Sequence, residues 1–275
     1  MKINKIVWFF IAILFIASIY GAYTLGTQKE ENLLYTPEGL EYQETLTQVS
    51  TIGALLNGVY DGGVSFGDLK RYGDFGIGTF NGLDGEMVAL DGEFYQIKSD
   101  GSVYKVKDSM KTPFANVTFF DGDREVKLDE GMNYEDIRDF IDDMIPTKNI
   151  FYAIKIDGTF SYVKTRSVPK QVKPYPPLAE VTKDQSIFEF NDAKGTIVGF
   201  RSPSYVGGMN VPGYHLHFIT EDRRAGGHLL EVKVKDANAT MDYTSDLFMV
   251  LPSEDDFYRV DLTNIKEEEV EKVEK

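Results

Sequence analysis

All three histidines of this 275-residue chain, His215, His217 and His228, fall within GYHLHFITEDRRAGGH. Residues two apart on a strand point to one face, so His215 and His217 share a face and Leu216 takes the other. An antiparallel return after the turn-rich EDRRAGG brings His228 beside the pair, provided that the Gly226-Gly227 step or a β-bulge sets the register. Three neutral imidazoles converging from two neighbouring strands are the ligand set of a catalytic metal site with one position open. Zinc leads on this ligand set, and nickel, cobalt, manganese or iron(II) could use the same nitrogens. Read as ordinary strand residues, single histidines need no metal; three in one hairpin, with none elsewhere, favour the metal. A rival set is His215, His217 and Glu221, which fits the HxHxxxE run of cupin barrels and implies a jelly-roll oxygenase or isomerase.

The rest of the chemistry must come from carboxylates, arginines and hydroxyls. There is no cysteine, hence no disulfide, thiolate ligand or cysteine nucleophile. P-loop and HExxH motifs are absent as well, and with the histidines committed to a metal no imidazole is left for a serine triad. Three local features stand out: Thr79 and Glu86 around the turn in GTFNGLDGEM, Arg166 at a strand end in VKTRSVPKQ, and Arg201 in a loop leading into the histidine strand. An arginine at a strand end can clamp a carboxylate through two nitrogens.

The elements that must position these residues are mostly strands. Tyr and Phe number 16 and 19, a composition that favours β structure. From Ser65 to Val106, short apolar runs alternate with turns at Leu83-Asp84-Gly85, Asp91-Gly92 and Asp100-Gly101, the pattern of a β-meander. Apolar residues at Tyr134, Ile137, Phe140, Ile141 and Met144 predict a helix ended by Pro146. A hairpin turning at Asp157-Gly158 is expected next. The proline-rich Val168–Val181 reads as a connector, because four prolines interrupt any ladder. The expected fold class is α+β and β-rich: two mixed β-sheet domains with few helices, the metal site lying on a β-hairpin of the C-terminal one. The expected divisions are 39–170 for the N-terminal domain, 171–260 for the metal-binding domain and 261–275 for an acidic tail.

Residues 1–26 read as a signal peptide or membrane anchor, with Lys2 and Lys5 flanking an uncharged apolar run from Ile6 to Leu25. Residues 27–38 are a polar connector. The reading is of an exported protein, extracellular or anchored to the outer face of the cell membrane, whose only membrane contact is this segment. A net charge of −15 argues against a nucleic-acid partner.

FGIGTFNGLDGEMVALDGEFYQ, KTRSVPKQVKPYPPLAEV, GFRSPSYVGGMNVPGYHLHFITEDRRAGGHLLE and a terminal glutamate cluster together resemble the alpha-acetolactate decarboxylase family. The resemblance covers essentially all of the chain after the leader, in order, and the histidine block is its most specific part. It implies two β-rich domains around a zinc on His215, His217 and His228. The family's active-site threonine, glutamate and arginine fall on Thr79, Glu86 and Arg166. A tail glutamate also reaches the site; Glu274 fits best, with Glu271 as the alternative register. The implied reaction is decarboxylation of the 2-hydroxy-3-oxo acid (S)-2-acetolactate to (R)-acetoin and carbon dioxide. In it the metal chelates the ketone and hydroxyl oxygens and stabilises an enediolate, Arg166 orients the carboxylate, and Glu86 and Glu274 deliver or relay a proton. A homodimer is left open. The departure from many relatives is the leader. Against this stand the cupin-like reading and a non-catalytic surface metal-binding module.

Overall fold

The computed structural model describes residues 44–253, 255–263, 270 and 273–274. The leader, the connector to residue 38 and Glu271 lie outside the described residues. Alternating sequence and Gly/Asp turns give β1 (Thr45–Val49), β2 (Val64–Ser65), β3 (Phe75–Thr79), β4 (Glu86–Leu90), β5 (Glu93–Ile97), β6 (Val103–Lys105), β7 (Lys111–Thr112), β8 (Ala115–Thr118) and β9 (Arg124–Leu128). Much longer strands follow: β10 (Phe151–Ser167), β11 (Ser186–Ser202), β12 (Gly213–Thr220) and β13 (Gly226–Thr244), then β14 (Asp246–Val250). The fold is therefore β-rich with several sheets and few helices, as expected.

The turns expected in the meander are present. Asp91 and Gly92 both take left-handed φ, 54° and 77°, the backbone that matches strand twist in a two-residue hairpin. The helix Tyr134–Met144 forms where its apolar spacing predicted, capped by Asn133 in a reciprocal capping box with Asp136. It buries Ile137 and Ile141 against the long strands.

Asp157-Gly158 departs from expectation. No turn forms there; β10 runs straight through and is paired on both edges, with Gly158 opposite Gly195 on one side and Ala237 on the other. A Cβ on Gly158 would stand 2.3 Å from the Asp236 carbonyl oxygen, so this glycine serves close strand approach. The Asp157 carboxylate accepts from Thr196 Oγ1 at 2.6 Å across the ladder.

Among the described residues there is a seven-stranded sheet ordered β14-β1-β8-β3-β4-β5-β6 and a five-stranded sheet ordered β10-β11-β12-β13-β9, with β10 also pairing β13. Strands β10, β11, β12 and β13 thereby close on themselves. The division expected at 170/171 does not separate the sheets. Strands β9 and β10, from before the proline-rich segment, belong to the five-stranded sheet, while β14, from after it, lies parallel to β1 in the seven-stranded one. The prolines break the ladder locally, but residues Gly39–Lys275 form one compact unit. The sheets share a core of Leu46, Phe75, Ile77, Val88, Ile97, Val198, Phe200 and Ile219.

The close approach of β11 to β12 is also built on glycine. A Cβ on Gly199 would meet the carbonyl oxygen of His215 at 2.1 Å. We expect Gly199→Ala to destabilise the protein by about 1–3 kcal/mol in urea unfolding, through overpacking that pushes the histidine strand away; an unchanged midpoint would show that the two strands separate freely.

Candidate active site

The three histidines converge as their spacing suggested. His217 and His228 are direct cross-strand partners, and His228 is also the partner of Arg166 on β10. A register shift between Lys164 and Thr165 lets β13 carry one extra residue there. That bulge turns His228 to the face that carries Arg166. The three imidazoles are buried, with ring centroids 5.1–5.3 Å apart, and one potential ligand atom from each lies within 4.8 Å of the others.

Main-chain carbonyls orient two of the rings. His217 Nδ1 lies 2.9 Å from the Met87 carbonyl oxygen, and His228 Nε2 lies 3.2 Å from that of Glu274. Donating there fixes the tautomers, leaving His217 Nε2 and His228 Nδ1 as lone-pair nitrogens, buried and without a partner. Nε2 of His215 faces Glu274 Oε2 at 3.1 Å. Burial holds all three imidazoles neutral: it lowers His217 to about 3 and drives His215 and His228 well below the usual histidine range. Three neutral imidazoles, two of them oriented with an unpartnered nitrogen, are what a divalent metal requires, so the donor set fits one.

Around the histidines stand the other residues the resemblance assigned. Thr79 ends β3 and Glu86 opens β4 directly opposite it. The Thr79 hydroxyl donates to the Gly85 carbonyl at 2.7 Å, tying down the turn that presents Glu86. Arg166 is buried between two carboxylates, with Nη1 3.7 Å from Glu86 Oε1 and Nη2 3.9 Å from Glu274 Oε2. Its guanidinium also donates to the Val273 carbonyl. One guanidinium faces two carboxyls, and burial outweighs its attraction. Glu86 is raised to about 7, as is Glu274, which the charge of Glu86 raises further.

Glu274 is thus the tail residue in the site. Val270 and Val273 seat it, buried among Ile52, Leu55, Leu83, Phe114, Val168 and Leu178. A signal was present in sequence: Val270 and Val273 stand at helical i,i+3 spacing amid the charges. Sequence reasoning also missed the apolar wall of Leu55, Phe114 and Leu178, which lines the same small cavity as the polar residues.

Two singled-out residues lie elsewhere. Glu221, the rival cupin-type ligand, sits in the turn after β12 and is exposed, its carboxylate 2.5 Å from Lys194 Nζ. The strand ends at Thr220, so the alternation that aims His215 and His217 inward does not extend to it. Arg201 is buried but structural, bonding Asp142 at 3.1 Å and the Lys148 carbonyl at 2.8 Å.

A structural metal site is closed by its own ligands. Here the imidazoles share a small cavity with a cation and with carboxyls that keep their protons near neutrality, and such a combination defines the class: an enzyme. The comparisons give the family. A family profile described as Alpha-acetolactate decarboxylase matches residues 46–264. The chain is 55% identical over 232 residues to the "Alpha-acetolactate decarboxylase" of Methanosarcina mazei, covering 84% of this chain and 81% of that one. It is 44% identical over 239 residues to that of Bacillus subtilis, covering 86% and 94%. The X-ray crystal structure of alpha-acetolactate decarboxylase from Bacillus subtilis strain 168 superposes with a TM-score of 0.82, at 45% identity over 84% of this chain and 99% of that one. The chain belongs to the alpha-acetolactate decarboxylase family, and with it to the carboxy-lyases.

The raised carboxyl makes a pH prediction. Glu86 has an ordinary value of 4.5 and a folded value of about 7, so between them the folded state holds a proton that the unfolded state has lost. Its contribution to stability is therefore lost as pH rises through that window. In metal-free protein, Glu86→Gln should gain about 2–3 kcal/mol relative to wild type between about pH 4.5 and about pH 8. Urea unfolding at both ends checks this; a difference independent of pH would mean that the carboxyl titrates in the folded protein as it does in the unfolded chain.

Proposed function

We propose that this protein decarboxylates (S)-2-acetolactate to (R)-acetoin and carbon dioxide, with zinc held by His215, His217 and His228. The observation that carries the reading is that Arg166, Glu86 and Glu274 face the same cavity as His215 and His217, with His228 beside both rings. Family membership supports the reaction. A bound divalent ion supplies a Lewis acid toward the substrate's ketone and hydroxyl oxygens, an electron sink for the carbon that loses carbon dioxide.

The chain's own residues do the rest. Arg166 binds the substrate carboxylate and fixes its bond to the neighbouring carbon; its anchor on the Val273 carbonyl keeps the guanidinium from swinging away. Loss of carbon dioxide leaves an electron pair on carbon, and a proton must replace it. Glu86 and Glu274, both raised by burial and facing the cavity, are the donors available, and the one that delivers its proton regains one from water. Delivery from one side of the cavity gives one product enantiomer. The apolar wall excludes competing water, and Thr79 positions Glu86 through the Gly85 turn.

The full chain given racemic acetolactate should release acetoin and carbon dioxide, lose that activity on chelation and recover it with zinc. Arg166→Ala should lower turnover by about 10²–10³-fold with bound metal unchanged; equal loss of metal and turnover would remove the carboxylate-clamp role. Metal uptake without acetoin would leave a metal-binding module.

We also propose that the segment Ile6–Leu25 carries the enzyme out of the cytoplasm, on its uncharged apolar length and flanking lysines. Protease added to intact cells should degrade the protein; full protection alongside a cytoplasmic marker would reject export.

A further inference from the structure

A second group of oxygen donors gathers at the end of β13 opposite His228. Asp242 stands across from Ala153 of β10, a member of the core shared by the two sheets. Glu44 lies just before β1 and Asp123 just before β9. One carboxylate oxygen from each of the three lies within 4.8 Å of the others.

Asp242 is fully buried. Its Oδ2 accepts the Asp121 main-chain N–H at 3.2 Å, whereas its Oδ1 has no partner. A buried carboxylate oxygen with no donor is costly, and two more carboxylates beside it add to the cost. The nearby cations are engaged elsewhere: Arg124 donates to the Met144 carbonyl, and Lys155 pairs with Asp157 at 3.4 Å. Burial, then the charges of Glu44, Asp123 and Asp121, push the Asp242 carboxyl up to about 7 despite the Asp121 hydrogen bond.

We propose that Glu44, Asp123 and Asp242 form a second metal site, distinct from the histidines, that takes a hard divalent cation, Ca²⁺. The donors are all carboxylate oxygens, which suit calcium rather than zinc. Calcium–oxygen distances near 2.4 Å allow two ligands on one ion to stand up to about 5 Å apart, the span found here. The Tyr243 N–H bonds only one oxygen of Asp123, at 2.7 Å, leaving the other free to ligate. The ion joins the start of β1 to β9 and β13, tying one sheet to the other, and so acts on stability rather than on turnover.

The test is a calcium titration of the full-length protein after saturation with zinc, read by equilibrium dialysis and by Tm. One calcium per chain is expected, with Kd on the order of 10⁻⁴–10⁻³ M, and a Tm rise of several degrees. Asp242→Asn should abolish both. Glu44→Gln, at an exposed position, should weaken binding by about tenfold or more while acetoin formation persists. Asp123→Asn gives the same readout should Asp242→Asn fail to fold. Absence of saturable binding to wild type, or a calcium response unchanged in Glu44→Gln and Asp123→Asn, overturns the proposal.

Discussion

The pairing of His228 on both of its edges is the constraint on which the site depends. One edge of β13 meets β12 at His217 and the other meets β10 at Arg166. This double contact closes the four long strands on themselves and places a ligand, its neighbouring ligand and the guanidinium on consecutive strands. It works only because of the bulge at Leu230, between His228 and Val232. An unbulged β13 would turn the imidazole to the face of Val232, into the apolar core beneath the helix Tyr134–Met144.

Close strand approach makes that closure possible. At Gly227 a Cβ would lie 2.4 Å from the Arg166 carbonyl oxygen, and at Gly226 it would lie 2.2 Å from that of Phe218. With φ of 142°, Gly227 also takes a backbone that side-chain-bearing residues rarely adopt. The Gly-Gly step therefore admits β13 between its neighbours, while the bulge sets its parity. The two devices do different work within a few residues of each other.

The electrostatics follow from putting six functional groups in one dry place. Three imidazoles cannot protonate there, and two carboxyls share a single guanidinium. The imidazoles are left as lone-pair donors even in acid and the carboxyls as proton holders near neutrality, where in water a carboxyl would be ionised. The docked tail completes this balance. Its valines lie in a core drawn from Ile52 to Val211, so Glu274 reaches the site through hydrophobic burial rather than charge attraction.

The sequence by itself determined the ligand set, the strand alternation aiming His215 and His217 to one face, the meander turns and the capped helix. Each depends on local geometry: a period of two, a period of 3.6, or a turn that Asp-Gly satisfies. Through the family resemblance it also assigned Thr79, Glu86, Arg166 and Glu274. Tertiary structure decided what local chemistry leaves open. Asp157-Gly158 carries a hairpin signal, yet neighbours on both edges hold it extended. Glu221 has the spacing of a ligand, but the strand ends one residue before it. The proline-rich segment breaks a ladder without dividing the sheets, because hydrogen-bonding partners such as β1 and β14 find each other across about 200 residues of chain. Only pairing and burial across such distances could bring a β3–β4 turn, a strand end and the tail around the histidines.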